Sequence, residues 1–484
     1  MTLRCDLIIR DATILDGTGA PRRRGDVAVR GDRIAGVGDL GAWTADEEVR
    51  ADGNALAPGF IDAHTHDDRA VLCGPACMLC KMSQGVTTVV VGNCGISLSP
   101  TRFSRRPIPP LDLLGDESWW RFGSFAEYAG QLAHEPSPVN TVALIGHMSL
   151  RVEAMGGETQ RAATDREAAR MRDRLAESLA AGASGFSTGL YYPANIMAPT
   201  EEVIAVAEAL READGLYVTH MRDEADGVLA AIEETLRIGR EAGAPVVISH
   251  HKCAQPENFG RSRDTLAAID AGAATQEVAF DVYPYAAGST VLMPAKVRDD
   301  VPTRITWSVP HPEMQGRWLA DIAREWRLTQ REAAERLLPA GGIFFQMDEA
   351  DVRRILAHPR SMIGSDGLPH DAFPHPRLWG TFPRVLGYYC RELALFSLEA
   401  AIHKMTGRTA GVFGLVDRGV IREGACADLV LFDPATVTDA ADFDHPTRPA
   451  PGILQTWVNG ARSYVWGEGA TAARAGRLVT RGRA

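Results

Sequence analysis

Between about Ala57 and Asp366, eight short apolar segments alternate with helical stretches, and this alternation constrains the fold more than any other feature of the chain. The segments are Gly59–Ala63, Thr87–Gly92, Val142–Gly146, Gly185–Thr188, Leu216–Thr219, Pro245–Ser249, Val278–Val282 and Met362–Ser365. Clear helical stretches lie at Asp165–Ala181, Glu201–Ala213, Gly227–Ala242 and Arg263–Asp270. Eight apolar strands separated by helices predict an α/β fold, a parallel (β/α)₈ TIM barrel. Residues 294–348 fall between the last two strands and are too long for a simple connection. They are expected to carry helices of their own and to cover the barrel mouth.

The two ends of the chain read differently. Cys5–Ile9, Asp26–Val29 and Arg33–Val37 are short β segments, with Gly17, Gly19, Gly25 and Gly31 at the turns. After a helix at Ser397–Met405, Ala427–Phe432 alternates again, and Ile453–Asn459 with Ala461–Trp466 predicts a hairpin around Asn459-Gly460. The simplest organisation is a small β-sandwich domain built from both termini, residues 1–56 and 415–484, beside a barrel at residues 57–414 with its insertion. A chain of 484 residues accommodates a barrel of ~250 residues with insertions and one accessory domain.

Charge and composition narrow the function. Lys plus Arg number 51 and Asp plus Glu 62, a net charge of −11, which argues against nucleic-acid or anionic-membrane binding as the main task. No apolar run reaches the ~18 residues of a transmembrane helix. Met1–Asp11 reads as a first strand and not a signal peptide. The eight cysteines are scattered, which suits a reducing cytoplasm better than a disulfide framework. The expected partner is a small molecule.

The strand ends carry the chemistry. His64-Thr65-His66 follows the first strand, and two histidines at i and i+2 of an extended segment share a face. Such a pair is common by itself. Here Cys94 ends the second strand, His220 the fifth, His250 the sixth and Asp366 the eighth. Barrel active sites sit at the C-terminal ends of the strands, where these six residues converge. Thiolate and imidazole suit zinc, which acidifies a bound water to a pKa of about 7. A neighbouring carboxylate can move that water's proton, and Asp366 fits the role. Cys73, Cys77 and Cys80 lie in a helical stretch without a fourth ligand and read as idle or buried thiols. His370 and His375, in a Pro-rich loop, read as loop or capping residues.

Gly59-Phe60-Ile61-Asp62-Ala63-His64-Thr65-His66-Asp67-Asp68 resembles the first-strand signature of the amidohydrolase superfamily. Gly424-Ala425-Cys426-Ala427-Asp428-Leu429-Val430 resembles that superfamily's C-terminal β motif. Gly92-Asn93-Cys94-Gly95-Ile96-Ser97, Thr219–Glu224, Ile248–Lys252, Asp281–Tyr285 with Gly288–Thr290, Ile363–His370 and Pro376–Phe382 are similar to D-aminoacylases, the N-acyl-D-amino-acid deacylases. The resemblance covers nearly the whole chain. It implies one tightly bound Zn²⁺ on Cys94, His220 and His250, and a weaker second metal position on His64, His66 and Asp366. It implies Asp366 as general base and acid. Lys252, Tyr283, Ser289 and Arg377 would hold or flank the substrate carboxylate, and Tyr192 matches a further site position.

Two alternatives stand beside this reading. Cyclic-amide hydrolases such as hydantoinases and dihydroorotases share the barrel but place a carbamylated lysine after strand four, where this chain has Ser184–Leu190 and no lysine. A non-catalytic relative would be expected to lose metal ligands, and the full set is present. Lys296 and Arg298 follow the Gly288–Thr290 segment. If that loop lines the side-chain pocket, they pair an acidic side chain, as in an N-acyl-D-glutamate.

Overall fold

Eight parallel strands form at the expected segments: β1 (Phe60–Asp62), β2 (Val86–Val91), β3 (Asn140–Gly146), β4 (Gly185–Gly189), β5 (Leu216–His220), β6 (Val246–Ile248), β7 (Val278–Val282) and β8 (Ser361–Ile363). They pair in chain order into one sheet. The computed structural model describes residues 3–482. Alternate strand residues point inward, so Ile61, Val90, Val142, Leu144, Leu216, Val218, Val247, Ala279 and Met362 share one cluster. The barrel interior is therefore packed, and the polar residues that end the strands stand beyond it at one face.

The seam between β8 and β1 is not a continuous ladder. The Ala63 N–H donates to the Ile363 carbonyl at 3.1 Å and the Asp366 N–H to the His64 carbonyl at 2.8 Å. A single bridge joins Thr65 to Gly367. The backbone thus holds the His64–His66 arm against Asp366 with few bonds, at the place where the site needs most definition.

The expected helices between β7 and β8 are present as Leu319–Trp326 and Gln330–Leu337. They enclose their own core of Leu292, Ile305, Leu319, Ile322 and Leu337. A three-stranded antiparallel sheet, Gly288–Val291, Thr303–Ser308 and Ala340–Phe344, was not expected there. Its central strand contains Gly341-Gly342, which reads as a turn. The glycine is needed for packing, since a Cβ on Gly341 would run into the Trp307 indole and the Thr306 hydroxyl.

Both termini build a separate nine-stranded sheet. Ala55–Pro58 pairs antiparallel with Leu429–Phe432, which joins the two ends of the chain. The sheet curls, so that Leu7, Ile9, Val27, Leu56, Leu429 and Trp457 share one core. The Asn459-Gly460 hairpin is as expected, with both residues at positive φ (47° and 81°). Buried Asp428 ties this sheet to the barrel. It pairs with Arg418, accepts from the Asn140 side-chain amide at 3.1 Å and from the Asn459 N–H at 2.8 Å. No helix among the described residues is long and apolar enough to cross a membrane.

Candidate metal centre and its cavity

The site is assembled by residues at or just beyond strand ends. His64 and His66 follow β1, Cys94 follows β2, His220 ends β5, His250 follows β6 and Asp366 follows β8. Three of these sit in the left-handed region: Cys94 at φ 55°, His250 at 35° and Asp366 at 49°. Such non-glycine conformations cost about 1–3 kcal/mol each and persist where the surroundings over-determine them. They turn each side chain off its strand toward a common centre. Gly92 (φ 79°) allows the turn before Cys94, because a Cβ there would overlap the Leu144 carbonyl of β3.

The ligand atoms of Cys94, His220 and His250 all lie within 4.8 Å of one another, and so do those of His64, His66 and Cys94. Two candidate metal positions therefore share the Cys94 thiol. All five residues are buried. The Cys94 sulfur is 3.2 Å from His64 Nε2 and 3.4 Å from His250 Nε2. Neither ring nitrogen of His220 has a hydrogen-bond partner among the described residues, although both are buried. A buried imidazole without partners costs free energy that a bound ion removes. One soft sulfur with two imidazoles fits zinc and leaves a fourth position open.

Carboxylates behind the rings fix their orientation. Glu224 Oε1 lies 3.0 Å from His250 Nδ1, and Asp281 Oδ2 lies 3.3 Å from His64 Nδ1. Each acid holds one ring nitrogen and so aims Nε2 at Cys94. Burial alone would raise the Cys94 thiol, but His64 and His250 hold it well below the usual range, as a thiolate. Burial would likewise raise the Asp366 carboxyl. Arg377, 2.8 Å away, and His66, 3.3 Å away, keep it well below the ordinary carboxylate range and ionised.

A cavity of about 710 Å³ opens in front of these groups. His66, His220, His250 and Asp366 form its floor, with Tyr192, Lys252, Tyr283, Ser289, Lys296 and Arg298 also on its walls. Tyr192 hydrogen-bonds Thr290 at 2.9 Å and packs on His220. Arg377 is fully buried, donates to the Ser289 carbonyl at 2.9 Å and lies over the Tyr283 ring at 4.6 Å. The Lys252 ammonium lies 5.7 Å from that ring and 2.7 Å from Glu224. The Ser289 hydroxyl is buried without a partner among the described residues. Lys296 sits 3.1 Å above the Tyr191 ring. Arg298 is not a free cation: Glu257 and Asp300, the latter at 2.7 Å, already hold its guanidinium.

Glu224, Asp281 and Tyr191 join the site without having been expected there from the sequence. Glu224 stands four residues after His220, and Asp281 is a charged residue inside an otherwise apolar strand, so both carried a signal. Tyr191 stacks on His220 at 5.2 Å. The other singled-out residues have local roles. His375 accepts from the Arg377 N–H at 2.9 Å and contacts the Ala287 carbonyl at 3.0 Å. Cys73, Cys77 and Cys80 join no metal-type cluster among the described residues.

The class of protein follows from the comparisons. The Amidohydrolase family model matches residues 47–307 and 273–464, and the chain belongs to that family. Within it, the chain is 53% identical to a D-aminoacylase of Alcaligenes xylosoxydans xylosoxydans, over 98% of each chain. It is 52% identical to an N-acyl-D-aspartate deacylase of the same organism, over 99% of this chain and 96% of that protein. A crystal structure of N-acyl-D-glutamate deacylase from Bordetella bronchiseptica, complexed with zinc and a phosphonate mimic of the tetrahedral intermediate, is 47% identical. It superposes with a TM-score of 0.94, covering 99% of this chain and 100% of that one.

Proposed function

We propose that this chain is a zinc-dependent N-acyl-D-amino-acid deacylase, which hydrolyses a linear amide to a carboxylate and a free D-amino acid. The observation that carries this is the Cys94–His220–His250 cluster at the floor of a cavity shared with ionised Asp366. The near-full-length likeness to three deacylases of D-amino acids supports the substrate class. Cys94, His220 and His250 would hold the tight zinc, and His64, His66 and Asp366 the weaker one. When bound, zinc supplies Lewis acidity, which brings the pKa of a coordinated water to about 7 and polarises a carbonyl.

The chain's own residues do the rest. Asp366 takes a proton from the attacking water on its carboxylate and returns it to the amide nitrogen, which leaves as an amine. Lys252 on the cavity wall and Arg377 behind it, gathered around the Tyr283 ring, would hold or flank the α-carboxylate, with Ser289 beside it. A forked guanidinium and a point ammonium fix the α-carbon from two directions, and that sets chirality. Tyr192 closes the wall beside His220 and excludes water.

The side chain is read from Lys296. It faces the cavity with no carboxylate partner among the described residues, whereas Arg298 is already neutralised. An acidic side chain, as in N-acyl-D-glutamate, would give Lys296 its partner. Burial lowers the Lys296 ammonium to about 8, against the pull of Asp223 and Glu224. The expected kcat/KM for N-acetyl-D-glutamate exceeds that for N-acetyl-D-leucine and N-acetyl-D-methionine by roughly 10-fold or more, since a hydrogen bond to a charged group contributes about 1.5–3 kcal/mol. The cation exists below its pKa and is lost above it. The preference should therefore shrink as pH rises through about 8, because kcat/KM reports the free enzyme. The test is that ratio across the pH range, in the wild type and in Lys296→Met. A preference for the apolar pair would refute the acidic pocket and leave D-amino-acid deacylation standing.

A further inference from the structure

The chain has only four lysines among its 51 cationic residues: Lys81, Lys252, Lys296 and Lys404. Lys252 and Lys296 face the cavity. Lys81 does not, yet it is completely buried. It projects from the helix Pro75–Met82, and its ammonium lies 2.8 Å from Asp62 Oδ2, 3.3 Å from Asp67 Oδ2 and 2.7 Å from Ser365 Oγ. These partners belong to both sides of the open seam. Asp62 ends β1, Asp67 follows His66, and Ser365 precedes Asp366.

The contacts continue into the site. Asp62 Oδ1 accepts the Ser365 N–H at 2.7 Å and the His64 N–H at 3.4 Å. The Asp366 N–H in turn donates to the His64 carbonyl at 2.8 Å. Gln84, next along the same turn of chain, donates to the Leu378 carbonyl at 2.8 Å and accepts from the Phe382 N–H at 3.3 Å. It thereby holds the helix Arg377–Arg384 that carries Arg377. A compact ammonium directs its three donors tetrahedrally, whereas a guanidinium directs all of its donors within one plane.

We propose that Lys81 is a positioning residue: clamped between Asp62, Asp67 and Ser365, it locks the His64–His66 arm to Asp366 across the seam that the barrel ladder leaves open. It touches neither substrate nor metal. It acts by setting the distance between the histidine pair and the carboxylate, and so the weaker metal position and the proton path. This rests on the metal reading above but not on the choice of substrate.

The test uses full-length Lys81→Met and Lys81→Arg, with Ser365→Ala as the mild variant. Ser365→Ala removes one contact and leaves both ion pairs, so it carries the same test if Lys81→Met does not fold. Cobalt is titrated into apo-protein and followed by its visible spectrum, then kcat and KM are measured. The first equivalent, on Cys94, His220 and His250, is expected to bind as in wild type. The second should weaken by about 10- to 100-fold, the usual loss when a partner behind a ligand is removed, and kcat should fall similarly with KM changed less than about threefold. Lys81→Arg should not restore the second position. A wild-type second equivalent and kcat in Lys81→Met, or in Ser365→Ala where Lys81→Met does not fold, would overturn the proposal, as would a wild-type chain that takes no second ion. Failure of the deacylase reading would show differently, as absence of turnover with metal titrations of this pattern intact.

Discussion

Cys94→Ala is expected to purify with neither metal position filled and with almost no turnover. Cys94 is the one donor common to both candidate clusters, so its loss leaves two imidazoles at the tight position and two imidazoles with Asp366 at the weaker one. Its sulfur lies 3.2 Å and 3.4 Å from two of those rings and is held as a thiolate by them, so the substitution also removes the charge that orients them. Loss of a partner behind a ligand typically costs about 10- to 100-fold in affinity or activity, and loss of a ligand itself should cost more. Zinc content by elemental analysis, together with kcat, checks this. A Cys94→Ala protein with full zinc and normal turnover would remove the cluster from the mechanism.

Asp366→Asn is expected to lower kcat by about 10²-fold or more while zinc stays on Cys94, His220 and His250. The substitution keeps the side-chain shape and removes the proton acceptor. It also breaks the 2.8 Å pair with Arg377, a buried cation that would then lack its main counter-charge. Some loss of stability is therefore expected beside the loss of rate, and a melting curve separates the two. KM should move less than kcat if the substrate carboxylate takes up the freed guanidinium. Near-normal kcat across the pH range would assign the proton transfer to another group.

The barrel and the convergence of the strand-end side chains were legible for the same reason. Each strand is a short apolar run with a polar residue just past its end, and the parallel barrel brings all those ends to one face. His64, Cys94, His220, His250 and Asp366 could be aligned on that rule without knowledge of any contact between them. What lies one contact further out carried at most a local signal, and the partners were not legible. Glu224 and Asp281 act on rings that are far away in sequence, and Lys81 reaches Ser365 across 284 positions. The pairing of Arg298 was partly visible, since Asp300 is two residues on, but its second partner, Glu257, comes from another loop. The sheet within the insertion was hidden by Gly341-Gly342, where packing against Trp307 needs glycine and local pattern reads a turn.

A zinc centre on Cys94, His220 and His250 is expected to cleave N-acyl groups from D-amino acids. The most direct measurement is the rate of amine release from N-acetyl-D-methionine and N-acetyl-L-methionine by chelator-stripped protein, as zinc is added back one equivalent at a time. No hydrolysis is expected without metal, activity should rise to its full value at the first equivalent, and the D-isomer alone should turn over. Turnover that survives complete removal of metal, or equal rates for the two isomers, would contradict these expectations.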